Sequence, residues 1–292
     1  MLSQSHRGHL AMLSFSLLVA GSFSLGGMAA PLIEPTAMMA ARFLVASVTV
    51  GVIIAIRGDY KREYLNAPWR YFAMGAMFAL YFVLMFEGLK TAPPVSTSAV
   101  FTLTPIMSAG FGYLLLRQIT TPRMAVALAL AAVGALWVIF RGDINALLSL
   151  DIGRGELLFF IGCISHALYT PFVRWSNRGE PALFYTFGVL VAGFIILTVY
   201  GAPSILRTDW LHLPGIVWIT LLYISIFASA TTFFLLQYSS MRLPSAKVMA
   251  YTYLVPTWVI LWEAMLGHGM ASAYQISGVA LTIVALLMLL KE

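Results

Sequence analysis

The chain has 292 residues, of which 61% are hydrophobic and only 10% charged, with a formal net charge of +6 and a mean hydropathy of +0.90. A soluble domain carries roughly a quarter charged residues, so too little charge is present to coat a water-facing surface, and lipid is the expected solvent. The positive balance does not point to nucleic acid, because the basic residues sit in short loops between apolar stretches, where they serve as an orientation signal.

A helix needs about 20 mostly apolar residues to cross the hydrocarbon core, and ten such spans follow one another. The first, near 10–29, carries Phe23 at mid-depth. Arg7 before it and Gly27-Met28-Ala29-Ala30 at its end imitate a cleaved signal peptide. The run is long for one, and a counterpart span occurs later, so a retained helix is expected. The second, near 36–56, follows Pro35 and holds Arg42, roughly 9 Å from its outer end at 1.5 Å per residue. The polar stretch from Arg57 to Arg70 leads to the third, near 70–90, with Tyr81 at mid-depth and Glu87 near the outer end. Pro93-Pro94 turns tightly into the fourth, near 93–116, with Phe101, Thr102 and Pro105 centrally placed. The fifth, near 123–140, is rich in small residues such as Ala127, Ala131 and Gly134, which permit close helix contact.

The stretch from Arg141 to Arg154 separates the fifth span from the sixth, near 155–174. The sixth carries Tyr169, with His166 near the bilayer centre and beyond snorkelling reach of either interface. The seventh, near 181–200, begins at Pro181, and the eighth, near 212–238, holds Tyr223. The ninth, near 246–266, contains Tyr251, Tyr253, Pro256 and Glu263; the tenth, near 271–290, again has small residues, Gly278, Ala280 and Ala285. The fifth and tenth spans read as scaffold or dimer surfaces. The expected fold is all-α and integral to the membrane.

With the N-terminus cytoplasmic, the inside segments hold twelve Lys and Arg residues (Arg7, Arg57, Lys61, Arg62, Arg70, Arg117, Arg123, Arg174, Arg178, Arg242, Lys247 and Lys291). The outside segments hold four, Lys90, Arg141, Arg154 and Arg207. This asymmetry places both termini in the cytoplasm and predicts a multi-pass protein of a cell inner (plasma) membrane.

Internal similarity divides the chain into 1–147 and 148–292. An offset of 151 residues aligns Pro105 with Pro256, Leu103 with Leu254, Ala99 with Ala250 and Pro93 with Pro244; an offset of 146 aligns Pro35 with Pro181. Five is an odd number of spans, so the second half enters from the opposite side. Inverted repeats of this kind characterise secondary transporters, whose site lies near the midplane between the halves.

Several segments carry a family resemblance. Pro35-Thr36 with Ala41-Arg42-Phe43-Leu44-Val45-Ala46, Leu89-Lys90-Thr91-Ala92 through Ser96-Thr97-Ser98-Ala99 to Leu103-Thr104-Pro105, and their second copies Met241-Arg242-Leu243-Pro244-Ser245-Ala246, Tyr253-Leu254-Val255-Pro256 and Gly278-Val279-Ala280-Leu281 resemble the EamA family of the drug/metabolite transporter superfamily. The resemblance covers nearly the whole chain. It implies two inverted five-helix halves around a cavity lined by helices one, three, four, six, eight and nine. It also implies export or exchange of amino acids, aromatic or neutral ones among them, of related metabolites or of drugs. Two departures stand out: the family's Gly-Glu pairs fall on Leu116-Arg117 and Gly267-His268, and its tryptophans in helices one and six fall on Ala20 and His166.

Intramembrane ionisable groups are candidates by default, because burying them is costly. Arg42, Glu263 and Glu87 share the outer third and suggest an ion-pair gate, although both glutamates also lie within snorkelling reach and Glu87 can pair with Lys90 one turn away. His166 could donate to a substrate carboxylate or titrate during transport; in a dry core it would bond a neighbouring carbonyl or hydroxyl instead. Phe23, Tyr81, Phe101, Thr102, Tyr169, Tyr223, Tyr251 and Tyr253 lie near the same depth, a composition suited to an amphipathic solute. Pro105 and Pro256 each remove a helical hydrogen bond and are candidate hinges.

No phosphate-binding loop, zinc-helix motif or nucleophile elbow occurs. Ser165 and His166 are adjacent and do not face each other on a helix. One thiol, Cys163, forms neither an intramolecular disulfide nor a cysteine-rich metal site. The expectation is therefore a transporter rather than an enzyme, without cofactor or metal. Its partners are a small-molecule substrate and membrane lipid, and it is a monomer or homodimer. A proton-coupled drug exporter is the alternative, with His166 or Glu263 as the titrating group, and a membrane sensor or intramembrane enzyme is the more distant one.

Overall fold

A computed structural model describes residues 4–58, 61–149 and 151–290. With no water in the hydrocarbon core to satisfy backbone groups, each apolar run closes its own hydrogen bonds as helix. The first half contains α1 (Gln4–Ala29), α2 (Pro35–Arg57), α3 (Trp69–Leu89), α4 (Pro94–Phe101), α5 (Thr104–Leu116) and α6 (Pro122–Ile139). A short α7 (Ile144–Ser149), not expected from the sequence, occupies the connection. The second half contains α8 (Arg154–Ser176), α9 (Ala182–Arg207), α10 (Gly215–Ser225), α11 (Thr232–Ser240), α12 (Ser245–Ala250), α13 (Val255–Met265) and α14 (Ala273–Leu290).

Three predicted spans are interrupted. The fourth is α4 and α5 joined at Thr102-Leu103, and the ninth is α12 and α13 joined by a 3₁₀ turn, Tyr251–Leu254. The eighth is α10 and α11 joined by a π-helical stretch, Ile226–Thr231. Among the described residues, nine helices are long and apolar enough to cross a membrane. The ninth predicted span is not one of them; Lys247, Thr252, Thr257 and Glu263 make it the more polar segment.

Prolines set the helix starts. Pro93 and Pro244, matched by the 151-residue offset, precede α4 and α12 with nearly the same backbone (φ −62°, ψ 148° and φ −58°, ψ 146°). A proline there forfeits an N–H that has no intrahelical partner anyway. Pro105 and Pro256 both occupy the first turn beyond a break, beginning α5 and α13. The carbonyl of Phe101, which Pro105 cannot satisfy, instead accepts from Thr104 Oγ1 at 2.7 Å.

The packing maps onto itself when the halves are exchanged. α3 packs on α8 and α9 as the eighth span packs on α1 and α2; α4 meets α13 as α5 meets α12; α2 pairs with α9 and α6 with α14. The breaks of the fourth and ninth spans touch where these cross, Thr104 Oγ1 lying 3.4 Å from Thr252 Oγ1. α6 and α14 cross at Gly134 and Gly278, where a Cβ on either residue would stand 2.6–2.7 Å from the other's carbonyl oxygen. The small residues of the fifth and tenth spans thus hold these two helices together as scaffold. The face on which α1 begins and α14 ends is termed the terminal face below.

Candidate functional site

At the centre of the bundle lies a cavity of about 10 Å³, room for one water molecule. α1 contributes Phe15, Val19 and Ser22; α2 contributes Arg42; α3 contributes Phe78, Tyr81, Phe82 and Met85. Phe101 comes from α4, His166 from α8, and Ala228, Thr232 and Phe233 from the eighth span. No Asp or Glu is among these residues. Span two therefore takes the place expected for span nine. The ninth span contributes no lining residue: α13 packs on α1 and α4, and Tyr253 lies in a separate apolar cluster with α6 and α14.

Interlocked rings close the cavity. Phe78 stands 4.0 Å (ring centroids) from Phe233 and stacks on Tyr169 at 3.9 Å; Phe82 lies parallel to Phe233 at 5.8 Å. α3 and the eighth span are equivalent helices of the two halves, so the rings seal the junction between repeats. His166, 2% exposed, sits 4.4 Å from Tyr81, 5.1 Å from Phe101 and 5.5 Å from Phe78, and its Nδ1 has no hydrogen-bond partner among the described residues. Phe23 touches Phe101 and Phe159. Tyr169 accepts at its hydroxyl from Gln237 Nε2 at 2.6 Å.

Arg42 is fully buried. Its Nε donates to Ser229 Oγ and its Nη2 to the Ala228 carbonyl, both at 2.6 Å. Among the described residues Nη1 reaches only the Met39 sulfur, at 3.9 Å, and the guanidinium lies 3.6 Å from the centre of the Phe82 ring. Ala228 and Ser229 belong to the π-helical stretch. The extra residue in such a bulge disrupts the regular ladder, and Arg42 bonds the chain there.

Structure and sequence part company over the charged residues. Phe23, Tyr81, Phe101, His166 and Tyr169 form one aromatic cluster, whereas the outer ion-pair group dissolves. Arg42 points to the cavity; Glu263 pairs with His268 at 2.9 Å; Glu87 pairs with Lys90 at 3.2 Å, and Lys90 also reaches Glu34 at 3.8 Å. Depth counted along a helix ignores both angular position and side-chain reach, and the Arg42 side chain bonds the middle of the eighth span. The other candidates bond away from the cavity: Thr102 Oγ1 donates to the Ala99 carbonyl one turn back, Tyr223 reaches across to the Leu18 carbonyl of α1, and the Tyr251 hydroxyl lies 3.0 Å from His9 Nδ1.

Sequence reading missed Phe78, Phe82, Met85 and Phe233. With Tyr81, the first three form an i, i+3, i+4, i+7 stripe, the mark of a single helix face. It also missed a buried ion pair near the terminal face. Arg70 Nη2 donates to Glu180 Oε1 at 2.5 Å, with side chains 1% and 3% exposed. Arg70 also donates to the carbonyls of Ser176, Asn66 and Ala67. Burial pushes the Glu180 carboxyl up, but hydrogen bonds from Arg70 and from the Arg178 backbone N–H outweigh it and hold Glu180 below its ordinary value.

Known proteins share this architecture. The EamA-like transporter family model matches twice, over residues 6–140 and 153–291. The chain is 24% identical over 281 residues to the uncharacterized transporter YyaM of Bacillus subtilis, covering 96% of this chain and 92% of that one. It is 23% identical to the uncharacterized transporter YcxC of the same organism, covering 92% and 90%. A solved crystal structure shares the fold with a TM-score of 0.72 at 18% identity, covering 98% of this chain and 96% of that one. The two matched halves coincide with the two halves whose packing interchanges, and the chain belongs to the EamA-like transporter family, a family of membrane transporters and not of enzymes.

Proposed function

We propose that the protein is a secondary exporter of small amphipathic metabolites, amino acids with neutral or aromatic side chains among them, working by alternating access across a cell inner membrane with both termini cytoplasmic. The observation that carries this reading is the sealed cavity at the junction of two inverted repeats. Small-molecule sites commonly enclose about 300–1,000 Å³, against about 10 Å³ here. A metabolite enters only if α3 and the eighth span part and withdraw Phe78 and Phe82 from Phe233. Rocking of one half against the other opens that junction to one face at a time. Thr102-Leu103 with Pro105, and Tyr251–Leu254 with Pro256, supply the bending points, since both breaks already lack regular α-helical bonding.

The cavity does not favour export of cationic drugs. Its fixed charge is the Arg42 cation, and its described lining offers no carboxylate to counter a second. Uptake of radiolabelled amino acids and organic acids into proteoliposomes of purified protein tests the proposal. Saturable counterflow of at least one is expected, and linear, protein-independent leakage of all would refute it.

A further inference from the structure

We infer that Arg42 is an anion anchor, so that the transported molecule presents a carboxylate to it and lays an apolar body, preferably aromatic, among the cavity rings. This rests on the transport reading above and names the substrate class of that same cavity.

Three observations carry it. First, Arg42 is fully buried, yet among the described residues its partners are a hydroxyl, a carbonyl, a thioether and a ring, with no carboxylate. A buried cation without a counter-ion is expensive to keep, and such intramembrane charges mark substrate or ion paths. Nη1, held only by sulfur, is the donor most readily given to a ligand. Second, a second polar group of the cavity, His166, is 2% exposed with Nδ1 unpartnered among the described residues. A carboxylate between the two would satisfy both, in a water-poor space where charge-assisted hydrogen bonds are strong. Third, the charge breaks the repeat. The offset that aligns Pro35 with Pro181 sets Gly188 opposite Arg42, and Gly188 packs against the Tyr71 ring. The two halves therefore present different groups at their junction, a charge from one and none from the other.

The remaining lining selects the rest of the molecule. Phe78, Tyr81, Phe82, Phe101 and Phe233 offer ring faces and edges, which reward an apolar or aromatic body. An ammonium group finds no carboxylate there and would rely on ring faces alone. Organic acids and the carboxylate ends of amino acids therefore fit, and amines do not.

The test uses four probes that share one body: 3-phenylpropionate, its amide, 3-phenylpropylamine and phenylalanine. Binding to the purified full-length protein is read by calorimetry, and flux in proteoliposomes. We expect 3-phenylpropionate to bind and be carried saturably, with the amide and amine weaker by about tenfold or more, the scale of a charge-assisted hydrogen bond. Arg42→Gln should abolish the preference for acid over amide, and Arg42→Lys should keep part of it. Should Arg42→Gln not fold, the comparison of acid, amide and amine on the unaltered protein still decides. Amide or amine carried as well as the acid, or the acid preference surviving in a folded R42Q, overturns the anchor and leaves the transport reading standing. No saturable flux of these probes or of any amino acid overturns both.

Discussion

Removing the acidic partner of the buried pair by Glu180→Gln should destabilise the protein in a pH-dependent way. The substitution preserves size but leaves the Arg70 cation without a counter-charge at a position 1% exposed. Breaking a buried pair from one side costs about 3–5 kcal/mol. Arg70 keeps three carbonyl acceptors, on Ser176, Asn66 and Ala67, so the low end, about 3 kcal/mol, is expected. At roughly 2–4 °C per kcal/mol for domains of 150–250 residues, the melting midpoint should fall by about 6 °C or more, read from tryptophan fluorescence in detergent. Because Glu180 titrates below its ordinary value when folded, its stabilisation is complete above the ordinary carboxylate value of about 4.3 and is lost as pH falls through the lowered one. The gap between E180Q and the unaltered protein should thus hold from neutral pH down to about 5 and narrow below about 4. Arg70→Gln in the E180Q background should recover part of the loss. A neutral-pH gap below about 1 kcal/mol, the ceiling for most exposed pairs, would refute the reasoning, as would a double variant no better than the sum of the singles.

His166→Ala should lower flux several-fold while leaving the yield of folded protein unchanged; unaltered flux would remove His166 from the site. Exchanging charges in R42E/E263R should restore nothing lost in the single variants, because Glu263 is engaged with His268 and not with Arg42; rescue of transport would return Arg42 to an outer gate. Export of a monoanion should be electrogenic, a 100 mV potential being worth about 2.3 kcal/mol per charge, or roughly a 50-fold gradient; a potassium-valinomycin potential that leaves 3-phenylpropionate flux unchanged would exclude net movement of its charge.

The sequence made the scaffold legible because lipid narrows the choices. Apolar runs, proline starts and charged loops predicted the spans, and the two offsets predicted which helices correspond. His166 and Tyr81, expected at similar depth, pack against each other. Rotation about the helix axis was not legible. Glu263 and Arg42, expected at one level, bond different neighbours, the arginine reaching the middle of the eighth span, and Tyr251 turns toward His9 instead of the cavity. The π-helical stretch at Ile226–Thr231 had no sequence signal of its own, since Ser, Ala and Thr are ordinary in membrane helices. Arg70 was counted as a loop cation, whereas it sits in the first turn of α3, where its long side chain reaches a glutamate beyond the end of α8.

Alternating access asks the two halves to exchange shapes, which is simplest when they are equivalent; recognition asks the site between them to present different groups to different ends of one molecule. The proposed cycle would meet both demands through a symmetric scaffold and an asymmetric cavity lining. The scaffold interchanges: α2 with α9, α6 with α14, and the crossed breaks at Thr104 and Thr252. The site does not. α3 is continuous, while its counterpart is interrupted beside Ala228 and Ser229, and Arg42 faces the interruption where the other half has Gly188. The interruption and the arginine are one device, since the bulge presents a carbonyl and a hydroxyl that hold the guanidinium by one edge. The other edge is left with a sulfur contact. In the proposed cycle, parting of the halves would leave the held edge keeping Arg42 at the junction and its freer edge toward whatever enters. A symmetric pair of arginines would repel across the same space, and a symmetric pair of glycines would leave nothing there to recognise a charge.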